Sequence, residues 1–352
     1  MTGWPTPRFF DGHNDLLLRL LTHKVTAEEI VQGVDSGHIC LPRARKGGFG
    51  GGFFAIFVPS PSEGASSFEV MANPPYDLPL PAPLRRDEAW DFVQAGFGAL
   101  DALEQAGAIT ICRDADEVKA ALDGETMAAV IHIEGAEAVS ESCVELESLY
   151  AQGLRSLGPV WSRPTVFAEG VPFKHPSSPD IGAGLTEAGK RLVAECNRLK
   201  IMVDLSHLNE KGFDDVAALS DAPLVATHSN AHAVTPHARN LTDRQLRQIA
   251  ETGGMVGINF AAAFLREDGA MRADVPGEAI MRHLDHLIAI LGEDHVGFGS
   301  DFDGALLPEK MGDCTGLNWL RDELRGHGVD DVLLAKLAHG NWLKVMAKTW
   351  GS

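Results

Sequence analysis

The chain has 352 residues, of which 45% are hydrophobic and 22% charged; this is enough apolar material for a sizeable core and excludes a disordered chain. Asp and Glu outnumber Lys and Arg by 49 to 30, a formal net charge of -19. That balance excludes the cationic face needed to grip nucleic acid or an anionic membrane non-specifically, and it leaves room for a small zwitterionic ligand held by local groups.

Short apolar runs alternate with amphipathic stretches along the whole chain. Strands are predicted over 8–12, 53–58, 128–133, 154–157, 201–205, 224–227, 255–259 and 295–299, short runs of the kind that form buried parallel strands. Helices are predicted between them over 87–105, 187–199, 242–252 and 278–291. The last sets Ile280, Leu284, Leu287 and Ile288 on one face and charges opposite. About eight strand–helix units at this length predict an α/β fold, a TIM-type (β/α)8 barrel in a single domain over 1–352, with a doubly wound open sheet as the alternative. The Pro- and Gly-rich stretch 59–83 reads as a long loop after the second strand, either covering the catalytic face or forming a surface insertion. Residues 167–184 read as a second long loop, and 330–337 and 341–348 as closing helices.

The cysteines, Cys40, Cys112, Cys143, Cys196 and Cys314, are scattered, odd in number and without CxxC spacing. Reduced, buried thiols in a cytoplasmic setting are therefore expected. Met1 to Pro5 shows no secretory pattern, no run approaches the roughly 18 apolar residues of a membrane span, and the tail carries no lipid-anchor signal. No membrane association is expected.

Metal-ligating residue types fall at the predicted strand ends, where a barrel enzyme places its chemistry. Asp11-Gly12-His13-Asn14-Asp15 puts His13 and Asp15 on one side of an extended strand end, an imidazole–carboxylate pair suited to zinc; alone, such a pair also fits a surface or hydrogen-bonding role. Glu134 closes the run Ala128–Ile133, and a carboxylate there needs a metal or a basic partner. His132, two residues earlier, reads as a packed interior histidine. His207 ends Met202-Val203-Asp204-Leu205-Ser206, and His228 ends Leu224-Val225-Ala226-Thr227. Either could be structural alone; two in successive units, after a Glu and an HxD, point to metal. Asp204 is placed to orient a histidine or to cap a loop. Asp301, after the last strand, suits proton transfer with metal-activated water, whereas Asp303 beside Gly304 suits a turn. Arg239 could hold a substrate carboxylate through paired hydrogen bonds or lie solvated on its loop. His232 and His237 read as loop residues.

These motifs together resemble the membrane (renal-type) dipeptidase family, a branch of the amidohydrolase-like barrels. The resemblance runs from Asp11-Gly12-His13-Asn14-Asp15-Leu16 and Leu41-Pro42-Arg43 with the glycines of 47–52, through Glu134-Gly135, Gly184-Leu185-Thr186, Val203-Asp204-Leu205-Ser206-His207, His228-Ser229-Asn230-Ala231 and Arg239-Asn240. It continues to Asp285-His286, Gly299-Ser300-Asp301-Phe302-Asp303-Gly304 and Gly340-Asn341. It implies a dipeptidase acting on short L-L and L-D dipeptides, with two Zn²⁺ ions bridged by Glu134; manganese or cobalt would suit the same donors. By the same resemblance His13 and Asp15 complete one site and His207 and His228 the other, a metal-bridging hydroxide attacks the peptide carbonyl, Asp301 is the general acid/base, Arg239 anchors the substrate carboxylate, and a homodimer forms.

One position departs from the family. Aligned through Leu154-Arg155-Ser156-Leu157, Trp161 stands where relatives carry a substrate-binding histidine. An indole donates one hydrogen bond and carries no charge. Another donor, such as Arg163 or His175, could substitute, or the substrate could differ, with N-acyl amino acids or lactones as the alternative class on the same scaffold.

Overall fold

The computed structural model describes residues 3–60 and 67–351. Eight parallel strands form a TIM-type α/β barrel: β1 (Phe9–Asn14), β2 (Phe49–Phe57), β3 (Met127–Glu134), β4 (Leu154–Gly158), β5 (Met202–Val203), β6 (Val225–Ala226), β7 (Met255–Ile258) and β8 (Val296–Phe298). Their lateral order is β5-β4-β3-β2-β1-β8-β7-β6. The ends meet where Asp204 bridges Val225 in parallel and the Leu205 N–H donates to the Val225 carbonyl at 2.9 Å. The open-sheet alternative is thereby excluded.

The strands are apolar on both faces because each face meets a different core. Phe10, Phe53, Ala128, Val130, Met202, Val225 and Met255 belong to one buried cluster with Trp342. Phe9, Phe54, Ala129, Ile131, Ile133, Ala226 and Val256 belong to the other, with the helices. Alternate residues of one strand thus fill the barrel and its outer layer in turn. Trp342, from the C-terminal helix Asn341–Trp350, packs on Phe10 and Phe53 and donates from its indole to the Phe298 carbonyl at 3.2 Å. Gly12 has a steric reason in this interior: a Cβ there would collide with the Thr227 carbonyl and the Trp342 ring.

β2 begins four residues before the predicted strand, at Phe49, because its glycines serve as strand and not as loop. Gly51 has φ +134°, and a Cβ on it would run into the backbone of Ala128 on β3. The helices Arg86–Gln105, Glu187–Leu199, Asp243–Glu251 and Gly277–Leu291 lie within a residue of their predicted bounds. The two long loops are structured. The first holds a helix, Ser67–Met71, and both give one strand of a short antiparallel ladder, pairing Tyr76 with His175 and Asp77 with Lys174; residues 61–66 of the first loop lie outside the described residues. The five cysteines are buried and unpaired. No helix among the described residues is long and apolar enough to cross a membrane.

Candidate active site

The C-terminal ends of β1, β3, β5, β6 and β8 deliver side chains to one point. Glu134, the last residue of β3, sits at its centre. His207 Nε2 lies 3.0 Å from Glu134 Oε1, His228 Nε2 3.3 Å and His13 Nε2 3.7 Å, and His13 Nε2 is 3.4 Å from Asp15 Oδ2. His13, Glu134 and His228 form one group with convergent ligand atoms; His13, Asp15 and Asp301 form a second. All five predicted metal ligands therefore meet, nearly excluded from solvent.

Hydrogen bonds behind the rings decide which way the nitrogens face. Thr227 Oγ donates to Asp204 Oδ2 at 2.6 Å, so its lone pair is what meets His228 Nδ1 at 2.9 Å. The His228 Nδ1 must carry the proton, which leaves the Nε2 lone pair aimed at Glu134. His207 Nδ1 pairs with Ser162 Oγ at 3.2 Å, which turns its Nε2 towards Glu134. The two Nε2 atoms are 3.1 Å apart, and the buried Glu134 Oε1 accepts no hydrogen bond. Lone pairs facing a carboxylate oxygen in a dry site repel one another, and cations bound among them would relieve this. The donor set fits divalent ions of the zinc type.

The electrostatics agree. Burial drives the Glu134 carboxyl up to about 8, against the pull of His13. Burial also works against charge on His13, yet Glu134, Asp15 and Asp301 outweigh it and raise the imidazole to about 10. His207 and His228 are pushed well below their usual range, first by burial and then by Arg239 and their neighbour imidazoles.

Asp301 follows β8, next to His13 and Asp15 at the end of β1. Its backbone has φ +61°, uncommon for a residue with a Cβ. Its N–H donates to the His13 carbonyl at 3.0 Å, and the preceding Ser300 donates to Asp11 from its N–H at 2.6 Å and its hydroxyl at 2.7 Å. Asn259 Nδ2 donates to Asp301 Oδ2 at 2.9 Å; that amide cannot be flipped, because Asn259 Oδ1 accepts the Ala261 N–H at 2.6 Å. Burial, helped by the charge of Asp15, raises the Asp301 carboxyl. Above the cluster opens a cavity of about 320 Å³ whose floor includes Asp15, Glu134, His207 and Asp301, and whose walls include Phe57, Trp161, Phe173 and Phe264.

A family model described as membrane dipeptidase (peptidase family M19) matches residues 6–350. The chain belongs to the membrane dipeptidase family. Its class is that of the metallopeptidases that act as dipeptidases. Among solved structures, it superposes with TM-score 0.96 on a metallopeptidase from Rhodobacter sphaeroides liganded with a phosphinate mimic of the dipeptide L-Ala-D-Ala, at 56% identity over 98% of this chain and 100% of that one. A dipeptidase of family M19 matches equally in TM-score, 0.96, at 57% identity over 99% of this chain and 100% of that chain. An uncharacterised protein encoded in the pqqA 5′ region of Klebsiella pneumoniae is 48% identical over 70% of this chain and 90% of its own length.

The remaining residues singled out in the sequence are placed as follows. Arg239 is 2% exposed and forms no ion pair among the described residues. It donates to the carbonyls of Ser206 and His228, the latter at 3.2 Å, leaves Nε without a partner, and packs its guanidinium 5.4 Å from the Phe264 ring. Burial lowers it to about 10, while Asp301 and Glu134 hold it charged. Trp161 lies in the cavity wall, its ring 5.8 Å from His207. The suggested substitute donors are elsewhere. Arg163 is committed to Glu137, Ser60 and the Val58 carbonyl, and His175 packs against Tyr76 and His237. His132 is an interior histidine bonded to Ser156 at 2.9 Å. Asp303 turns away from the cluster to the His38 N–H and Arg19. Sequence reasoning missed Thr227, Ser162, Asn259 and Asp11. Their hydroxyl, amide and carboxylate groups resemble ordinary loop chemistry until their distant partners, 23 to 289 residues away, are known.

Proposed function

We propose that this chain hydrolyses the peptide bond of short dipeptides, of both L-L and L-D configuration, with two zinc ions bridged by Glu134. His13 and Asp15 would hold one, and His207 and His228 the other. When bound, such ions polarise a carbonyl and make water a nucleophile at neutral pH. The observation that carries the reading is the convergence of His13, His207 and His228 on a buried Glu134 oxygen that accepts no hydrogen bond, with Asp15 beside His13.

The protein's own groups then have defined tasks. Asp301, raised by burial and steadied by Asn259, takes a proton from the attacking water and hands it to the departing amine. Arg239 offers a buried positive charge with no ion pair among the described residues, 5.4 Å from the Phe264 ring of the cavity wall, suited to the C-terminal carboxylate of a dipeptide. Trp161 contacts the substrate from the wall. The likeness to the Rhodobacter sphaeroides metallopeptidase with its dipeptide mimic supports this class over N-acyl amino acids and lactones. The experiment is turnover by protein loaded with zinc, manganese or cobalt, on L-L and L-D dipeptides set against N-acyl amino acids and lactones. Dipeptide hydrolysis lost with chelator and restored by metal is the expected result; activity confined to the other substrates would overturn it.

A further inference from the structure

The cavity has two chemically unlike halves. Among the described residues its charged lining is Asp15, Glu134 and Asp301, all within the proposed metal and proton site, and no lysine or arginine lines it. Within its apolar lining, four aromatic rings form a continuous run. Phe57 lies 4.9 Å from Trp161, Trp161 5.7 Å from Phe173, and Phe173 stacks at 6.1 Å on Phe264.

This wall is braced from behind. Arg163, fully buried, places its guanidinium 5.5 Å from the Trp161 ring and 5.8 Å from Phe57. The same group bonds Glu137 at 2.7 Å, Ser60 Oγ at 2.6 Å and the Val58 carbonyl at 2.6 Å. One side chain thus ties the segments after β2, β3 and β4 together beneath two rings of the wall. Such a fixed support makes the wall a preformed surface rather than an adaptable one.

We propose that the Phe57–Trp161–Phe173–Phe264 wall makes Trp161 a specificity-determining residue and restricts the dipeptide substrates to those with apolar side chains; this rests on the dipeptidase reading above. An aspartate side chain set against these rings loses most of its water, and no lysine or arginine lines the cavity to offset its charge; the neutral Trp161 indole and the Ser60 and Ser67 hydroxyls are the nearby donors. A lysine set against the wall loses its water and finds the Trp161 and Phe57 rings already served by the Arg163 cation. Leucine, methionine or phenylalanine side chains gain contact area without leaving a polar group unpaired.

The test uses the full-length, metal-loaded protein and two substrate series, L-Xaa-D-Ala and L-Ala-D-Xaa, with Xaa as Leu, Phe, Asp and Lys. The expected result is kcat/KM at least about tenfold higher for Leu and Phe than for Asp and Lys in one series or both. In Trp161→Ala, the Leu and Phe substrates lose about tenfold through KM, and their advantage over Asp and Lys goes with it. Trp161→Phe keeps a ring and retains the preference, which separates loss of the wall from a folding defect. Calorimetry of the same dipeptides on metal-loaded Asp301→Asn reads the preference without turnover. Absent turnover of every dipeptide by the wild type therefore counts against the dipeptidase reading, and equal affinity for Leu, Asp and Lys overturns the wall.

Discussion

Thr227→Val probes the link between fold and metal most selectively, because it removes a hydroxyl that touches neither Glu134 nor the cavity. Two hydrogen bonds go with it: Thr227 to Asp204 at 2.6 Å, and His228 Nδ1 to Thr227 at 2.9 Å. Asp204 keeps the Ser206 N–H and hydroxyl and the Thr227 N–H, so its charge remains served. The buried Nδ1–H of His228 is left unpaired. The loss amounts to about 2–4 kcal/mol, which in a chain of this size lowers Tm by about 3–5 °C. The larger effect is on the metal. A ring free to change tautomer or rotate holds its ion more weakly, by about 10- to 100-fold for partners of this kind. Competition with a fluorescent chelator reads the affinity, and Thr227→Ser restores it. A Val variant binding metal within about twofold of wild type would refute the orienting chain from Asp204 through Thr227 to His228.

Three further outcomes are expected. Asp301→Asn lowers kcat by about 10²–10⁴ at unchanged metal content, so loss of metal in this variant would contradict its assigned role. Arg239→Lys lowers kcat/KM on dipeptides by about tenfold or more, mostly through KM; dipeptide amides, which lack the carboxylate, are cleaved equally poorly by both enzymes, and an equal loss on amides would refute the anchor. His283 gives the pH dependence. Buried, accepting the Ala231 N–H at 3.1 Å on Nδ1 and facing the Leu265 carbonyl with Nε2, it is held neutral, and burial lowers it to about 3. The unfolded chain takes up that proton near 6.5 and the folded chain only near 3, so the contribution is complete above pH 6.5. It falls by about 1.4 kcal/mol per pH unit between those values. Urea midpoints measured from pH 8 to 4 on wild type and His283→Gln should converge towards low pH; parallel curves would contradict the assignment.

The barrel, and the side chains of His13, Asp15, Glu134, His207 and His228 that converge at its mouth, were legible in the sequence because both are written locally. A strand buried on both faces is a run such as Ala128–Ile133, and ligands follow such runs directly, as Glu134 and His228 do. The β2 start is not legible because Gly50, Gly51 and Gly52 carry no strand signal; Gly51 is required by the Ala128 backbone on β3, about 77 residues on, and Gly50 and Gly52 by the close approach of Phe9 and Asp11 on β1. Arg239 read as a loop residue or a carboxylate anchor, and only the structure shows it buried without an ion pair. Trp161 was legible as a departure but not as part of a wall, since Phe57, Phe173 and Phe264 come from three other segments. The ladder of Tyr76 with His175 joins two stretches whose Pro and Gly content conceals any strand pattern.

The most direct test of the account is a count of bound metal on purified protein, reconstituted to saturation, by elemental mass spectrometry with dipeptide turnover measured on the same samples. Two ions per chain in wild type, falling to one or none together with turnover in Glu134→Ala, is the expected result. Full dipeptide turnover with fewer than two ions, or two ions and undiminished turnover without Glu134, would contradict a bridging carboxylate at the centre of this site.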